Sequence, residues 1–262
     1  MKHSKFTHFL FLVAITFIVS CSDDNNNDTT PVDPTPSTES STPLAAFDEF
    51  NTNSVTISFS GDEITIDSNG IPNHTSPYWN PAEPLYINPV VALAQTPGAI
   101  GERSFTVTVP AAPELAATST ATGLGPIGIS VTGTPIFNDT EGPNVPLEAQ
   151  IAETFDYAGA HMGPSGYHYH VESSDVPENT VLSHDDEKLI GIMADGFLIY
   201  GRKCNSTGDY PTNLDASGGH RSTSQHSDGE EFYHYHVINE YYLGTIIVLF
   251  GVDLQGTPNT IM

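Results

Sequence analysis

The string Tyr-His-Tyr-His stands at residues 167–170 and again at 233–236. A β-strand turns successive side chains to opposite faces, so His168 and His170 share one face, as do His234 and His236, with the tyrosines on the other. Imidazoles spaced i, i+2 sit roughly 6.5–7 Å apart at Cα, close enough for both rings to bend toward one metal ion. Each copy follows a matching lead-in, Asp156-Tyr-Ala-Gly-Ala-His161 before the first and Asp215-Ala-Ser-Gly-Gly-His220 before the second. A doubled string with a doubled lead-in indicates an internal repeat and adds His161 and His220 as third ligands. A blander reading packs the tyrosines inward and lets the histidines face water. It leaves the matching upstream histidines unexplained.

Neutral imidazole is the commonest protein ligand for zinc and copper, so copper or zinc is the expected cofactor. Three histidines with an open position suit a catalytic site, and four suit a closed one. With the two YHYH strands as neighbours, all four strand histidines face a common point. A six-histidine ring is then available for one or two ions. The glycines before His161 and His220 supply the backbone freedom that a ligand delivered from a tight turn needs. Asp195, Asp156 and Asp215 are candidate acceptors that fix the tautomer of a ligating ring, or else turn aspartates that cap their own backbone. The four tyrosines read as core filler whose hydroxyls need partners. Cys204 follows Arg202-Lys203, which favours a thiolate and hence a soft metal ligand, although a lone cysteine is more often buried or incidental. His184, in Ser183-His-Asp-Asp-Glu187, and His226, in the longer insertion of the second repeat, are not first choices.

The doubled YHYH, the Gly-Gly-His lead-in, the stretch Ala194-Asp-Gly-Phe-Leu-Ile-Tyr-Gly201 and Ser68-Asn-Gly-Ile-Pro-Asn-His74 together resemble the bacterial YHYH-domain family. These pieces span roughly residues 66 to 250. The resemblance implies one domain and a histidine-centred site, with His74 joining the ligands where its segment closes over them. It supplies no reaction. Family members often carry a cysteine just before the Gly-Gly-His, where this chain has Ala216 and Ser217, which puts a disulfide to Cys204 in doubt.

The first twenty residues read as an export signal, with Lys2 and Lys5 ahead of an apolar run from Phe9 to Val19 that is too short to span a bilayer. The run ends Ile18-Val19-Ser20-Cys21, which resembles a lipobox, so Cys21 is expected to carry lipid. A short signal anchor is the alternative. The mature protein is then anchored to a membrane without crossing it. Residues 22 to about 45 are Ser, Asp, Asn, Thr and Pro, a composition that cannot repay the cost of ordering and reads as a disordered tether. Ser22-Asp23-Asp24 resembles the surface-export signal of Bacteroidota lipoproteins. The expected location is therefore extracytoplasmic, as an outer-membrane lipoprotein that can face outward. The YHYH domain is expected over residues 46–262.

Formal charge is −25, and loss of Lys2 and Lys5 with the signal makes it more negative still. Such a field repels nucleic acid and attracts cations, so nucleic acid is rejected as a partner. Most of the carboxylates are scattered and read as a solvated surface.

The remaining signals are for strands. Residues 54–60 and 63–67 alternate with period two across a Gly61-Asp62 turn, a hairpin signature. Residues 104–109 and 128–132 add two half-buried strands, and 189–193, 197–200 and 245–250 are apolar runs suited to strands buried on both faces. One short helix is expected, with Pro146 as its first residue and Leu147, Ile151 and Phe155 on one side. The expected fold is mainly β, a single sandwich- or barrel-like domain with one or two short helices.

No nucleophile elbow, phosphate loop or HExxH is present. Three functions compete: a metal-binding lipoprotein, a metal-dependent hydrolase or lyase acting on an extracellular polymer, and a structural or adhesive β-module with incidental histidines. A closed four-ligand shell argues for binding, and an open three-ligand shell beside a groove argues for catalysis.

Overall fold

The computed structural model describes residues 41–173 and 185–262. The signal, Cys21, most of the tether and His184 lie outside these residues. Thr42 is buried, its N–H donates to Ala111 O at 2.9 Å, and a 3₁₀ turn follows at Leu44–Glu49. Packing thus begins a few residues before the expected boundary at 46.

Strands β1 (Val55–Ser60), β2 (Glu63–Ser68) and β3 (Phe105–Pro110) form an antiparallel sheet in that order. The first hairpin turns at Gly61-Asp62, with Gly61 in the left-handed region at φ 61°. Alternation sends Ile64, Ile66, Val107 and Val109 into the core. Each such burial contributes about 1.5–3 kcal/mol.

The second sheet carries the histidines. Its strands are β4 (Gly128–Ser130), β5 (Pro135–Ile136), β8 (Ala160–Gly163), β9 (Gly166–Tyr169), β10 (Leu189–Met193), β11 (Leu198–Tyr200), β12 (Gly219–Ser222) and β13 (Phe232–His236). A separate hairpin, β6 (Thr140–Glu141) with β7 (Val145–Pro146), and the helix α1 (Ala149–Ala152) lie between β5 and β8. The spatial order is β12-β13-β11-β10-β4-β5-β9-β8.

That order is a palindrome of two four-stranded halves, and it extends the repeat well beyond the YHYH strings. Each half opens with an antiparallel hairpin, β4–β5 or β10–β11, and closes with another, β8–β9 or β12–β13. In both, the second strand runs parallel to the YHYH strand, Ile136 opposite Tyr169 and Ile199 opposite Tyr235. The halves join through β4 and β10, where Ile129 faces Ile192. With this frame in view, Ile127-Gly-Ile129 corresponds to Ile190-Gly-Ile192, and Gly133 corresponds to Gly196. Those two glycines turn the opening hairpins at φ 97° and 94°.

The two sheets share one buried cluster, which includes Ile64, Val107, Ile129, Ile192 and all four YHYH tyrosines. The chain is mainly β with sandwich-like sheets, and the described residues form no closed barrel.

Three expectations need correction. The YHYH strands are not neighbours, because each pairs with its own lead-in across a short turn, and local hairpins form in preference to distant pairings. Five strand spacings separate β9 from β13, roughly 24 Å along the sheet. The helix is one turn long. Pro146 lies in β7, while Leu147 and Phe155 are buried in a small cluster with Val171. Residues 245–250 form no named strand and contribute only isolated bridges, Val171 to Val248 and Tyr242 to Ile246.

Candidate metal centres

In each half, the register of the closing hairpin brings three imidazoles to one face. His161 lies directly opposite His168, and His220 directly opposite His234. His170 and His236 follow two residues on, on the same face. The sharp entry to each lead-in strand needs Gly159 at φ 83° and Gly218 at φ 74°. Asp156 and Asp215 hold these turns in the same way, accepting from the N–H of Ala158 at 3.0 Å and of Ser217 at 2.9 Å.

A fourth donor completes each group. Glu141, on β6, joins His161, His168 and His170. Cys204 joins His220, His234 and His236. In both groups, one ligand atom from every residue lies within 4.8 Å of all the others. Glu141 and Cys204 are equivalent by the repeat, each standing three residues after the residue whose carbonyl orients the last histidine of its half, Asn138 or Gly201. The expected six-histidine ring is therefore two separate centres of three histidines and one anionic donor.

The ring tautomers follow from their outer partners. Nδ1 of His168 lies 2.8 Å from Gly166 O, and Nδ1 of His170 lies 2.6 Å from Asn138 O. In the other half, Nδ1 of His234 lies 3.1 Å from Phe232 O, and Nδ1 of His236 lies 2.7 Å from Gly201 O. Carbonyls only accept, so all four rings carry their proton on Nδ1 and present a bare Nε2 to the centre. His161 and His220 use side chains instead, Thr154 Oγ1 at 2.7 Å and Asn213 Oδ1 at 2.9 Å. The Thr154 hydroxyl already donates to Ile151 O, so it accepts from His161.

Such an arrangement leaves lone pairs facing one another. His161 Nε2 is 3.2 Å from His168 Nε2, and Glu141 Oε1 is 2.9 Å from His161 Nε2 and 3.2 Å from His170 Nε2. Nε2 of His170, Nε2 of His236 and Oε1 of Glu141 are buried with no hydrogen-bond partner. Buried polar atoms are rarely left so. A cation at each centre satisfies all of them, and distances of this size relax readily onto one ion. The donors present therefore fit a transition metal.

Electrostatics prepare the rings to ligate. Burial, then the neighbouring His170 and His161, lowers the His168 pKa to about 3. Burial likewise lowers His234 to about 4 and depresses His161, His220 and His236. Burial alone raises the Glu141 carboxyl, but the His161 and His170 rings, with Nε2 at 2.9 and 3.2 Å, outweigh it and hold the group well below the usual range. Burial also opposes the Cys204 thiolate. The adjacent His234 ring, then hydrogen bonds from the Ser206 and Ser222 hydroxyls, prevail and bring it to about 5.

The remaining sequence candidates lie elsewhere. His74 sits on the tyrosine side, with Nδ1 2.7 Å from Thr75 O and Nε2 2.6 Å from the Tyr169 hydroxyl, and belongs to neither centre. Asp156, Asp215 and Asp195 touch no ligating ring nitrogen and instead accept from Tyr167 at 2.7 Å, Tyr233 at 2.8 Å and Tyr235 at 2.5 Å. Their alternation puts them behind the sheet, where they satisfy the buried phenols that the tyrosine core requires. His226 bonds the Tyr200 hydroxyl at 3.0 Å. Cys204 is a free thiol.

Sequence reasoning missed Glu141, Thr154 and Asn213. The longer repeat would have found Glu141, since it stands where Cys204 stands in the second half.

No curated protein and no solved structure matches the chain. Residues 106–223 match the family model described as YHYH protein. That match takes in the whole first centre, together with Cys204 and His220 of the second, and stops short of the second YHYH string. The chain therefore carries a YHYH domain over these residues, which holds the first histidine group entire and begins the second.

Proposed function

We propose that this protein is an extracytoplasmic lipoprotein, anchored in the outer membrane through lipid on Cys21, that binds transition-metal ions, copper or zinc, at two histidine centres. The observation that carries the metal reading is the set of bare, buried Nε2 atoms, His170 and His236 foremost, turned toward an anionic donor and fixed from behind by backbone carbonyls. Ligating histidines are held in this way at metal sites, and the outer hydrogen bond raises the basicity of the ring.

Binding is favoured over catalysis by the donor count. Each centre assembles four donors, enough to close a tetrahedral shell, and the histidines are buried. The incidental-histidine reading is disfavoured by the pairing of nitrogen lone pairs at 3.2 Å, which costs stability unless a proton or a cation lies between them. The acidic chain adds a long-range field that draws cations in. Lipid anchoring rests on the sequence alone, through the lipobox-like run and the tether composition.

Metal analysis of the chain produced without a His tag tests the central claim. Two ions of copper or zinc per chain are expected from two centres. A folded chain that retains neither ion after mild desalting overturns the reading. Cys21→Ala is expected to move the protein from the membrane to the soluble fraction. Unchanged membrane association would remove the anchor from the proposal.

A further inference from the structure

The two centres carry the same formal charge, three neutral imidazoles and one anion, and the same backbone frame. They differ in one ligand. Glu141 presents a hard carboxylate oxygen from a hairpin whose side chain keeps 28% of its surface exposed. Cys204 presents a soft sulfur that is 1% exposed, with its Sγ 3.5 Å from His220 Nε2 and 3.1–3.2 Å from the Ser206 and Ser222 hydroxyls. Thiolate binds copper strongly and also accepts zinc, whereas imidazole with carboxylate serves zinc and harder divalent ions, so in competition the sulfur centre takes copper and leaves the oxygen centre to zinc.

We propose that the two centres take different ions, copper at the Cys204 centre and a harder divalent ion, zinc before others, at the Glu141 centre. The proposal rests on the reading that both centres bind metal, and it adds the selectivity. Copper outcompetes zinc at most nitrogen, oxygen and sulfur sites, so the sorting operates when copper is limiting. A buried thiolate suits that role, because water and oxidants reach it poorly while the three rings stay fixed. The repeat supplies the reason for two sites in one chain. Duplication provides the second frame, and one ligand substitution gives it a different preference.

The test loads the metal-free, detergent-solubilised full chain anaerobically with one equivalent of Cu(II), then one of Zn(II), following visible absorption and metal content. The first equivalent of copper is expected to raise a thiolate-to-copper charge-transfer band, which the zinc leaves unchanged, with both ions retained. Cys204→Ser is expected to lose the band. Glu141→Gln should keep it, and Glu141→Cys, given two equivalents of Cu(II), should hold both with the band doubled. Copper retained without the band, or a band bleached by one equivalent of zinc, overturns the sorting while leaving metal binding intact. A chain that holds neither ion overturns the metal reading itself and this proposal with it. Should Glu141→Cys fail to fold, the contrast between Cys204→Ser and Glu141→Gln still decides the matter.

Discussion

The first and second halves of the eight-stranded sheet solve one placement problem with different freedom. Both use a left-handed glycine to enter the lead-in strand, both set that strand's histidine opposite the first histidine of YHYH, and both orient the YHYH rings with backbone carbonyls. What differs lies outside the sheet. The fourth donor is Glu141 on the β6–β7 hairpin in one half and Cys204 in the other, and the partner behind the lead-in histidine is buried Thr154 or exposed Asn213. The sheet therefore fixes three imidazoles by register alone, and the connecting segments choose the remaining chemistry. Parts set by hydrogen-bonded register duplicate faithfully, and parts carried on loops diverge.

Substituting the rings breaks the comparison most sharply. His170→Ala is expected to cut the retained metal from two ions to one and to leave the Cys204 centre loaded, and His236→Ala should do the converse. Changing His168 and His234 together to alanine should abolish binding while the tyrosine face keeps the β fold, read by far-ultraviolet circular dichroism and metal analysis. A double variant that binds as tightly as its parent would show that these rings are not the ligands.

Stripping the metal comes next in size. A ligand held at a thousand times its Kd stabilises by about 4 kcal/mol, which for a domain of this length lowers Tm on removal by on the order of 10 °C. Chelator should give that shift in either single-centre variant and about twice it in the parent, which holds two ions. Identical melting with and without chelator would return the histidines to an incidental role.

The pH dependence of the metal-free chain distinguishes the halves by window. His168 has a folded value of about 3 and His234 of about 4, against 6.5 when unfolded, so the unfolded chain holds more protons between those limits. Their contribution to stability is present above 6.5 and is lost as pH falls toward 3. Cys204, at about 5 folded against 9.0 unfolded, adds a second window: its contribution is complete above 9.0 and drains as pH falls to about 5. Cys204→Ser is expected to leave the acid limb below about 5 unaltered, to make denaturant-derived stability less steep from 6.5 to about 5, and to flatten it between pH 6.5 and 9. A parent curve already flat across that range would count against a folded-state thiolate.

The smallest effects belong to the outer partners. Thr154→Val should weaken metal affinity at the Glu141 centre by about 10- to 100-fold, as removal of such orienting hydrogen bonds does. Asn213→Leu should cost less at its own centre, because water can reach that exposed position and replace the acceptor. Competition against a chromophoric chelator measures both, and equal losses would mean that burial does not set the difference.

Much of this was legible in the residues. Period-two alternation gave β1, β2 and β3 nearly to the residue, and the apolar runs marked β10 and β11. The same alternation put the histidines on one face and the tyrosines on the other. The pattern at Pro146, Leu147, Ile151 and Phe155 misled because spacing of four marks a buried side without requiring several turns, and here Leu147 and Phe155 flank a single turn and pack with Val171. The run at 245–250 was apolar because Ile247, Leu249 and Phe250 pack into the core, but it pairs through isolated bridges instead of a ladder.

By itself the sequence determined two triads of histidine, their shared face and the turn glycines that deliver them, since each depends on strand periodicity and backbone sterics within a few residues. Only the tertiary structure decided that the triads stand apart and that Glu141 and Cys204 complete them. Strand neighbours are chosen by which faces bury together over long separations, and here the join runs through β4 and β10, sending the YHYH strands to opposite ends of the sheet. A donor on a separate hairpin carries no periodic signal toward the residues it meets, so its partnership appears only once the chain has packed.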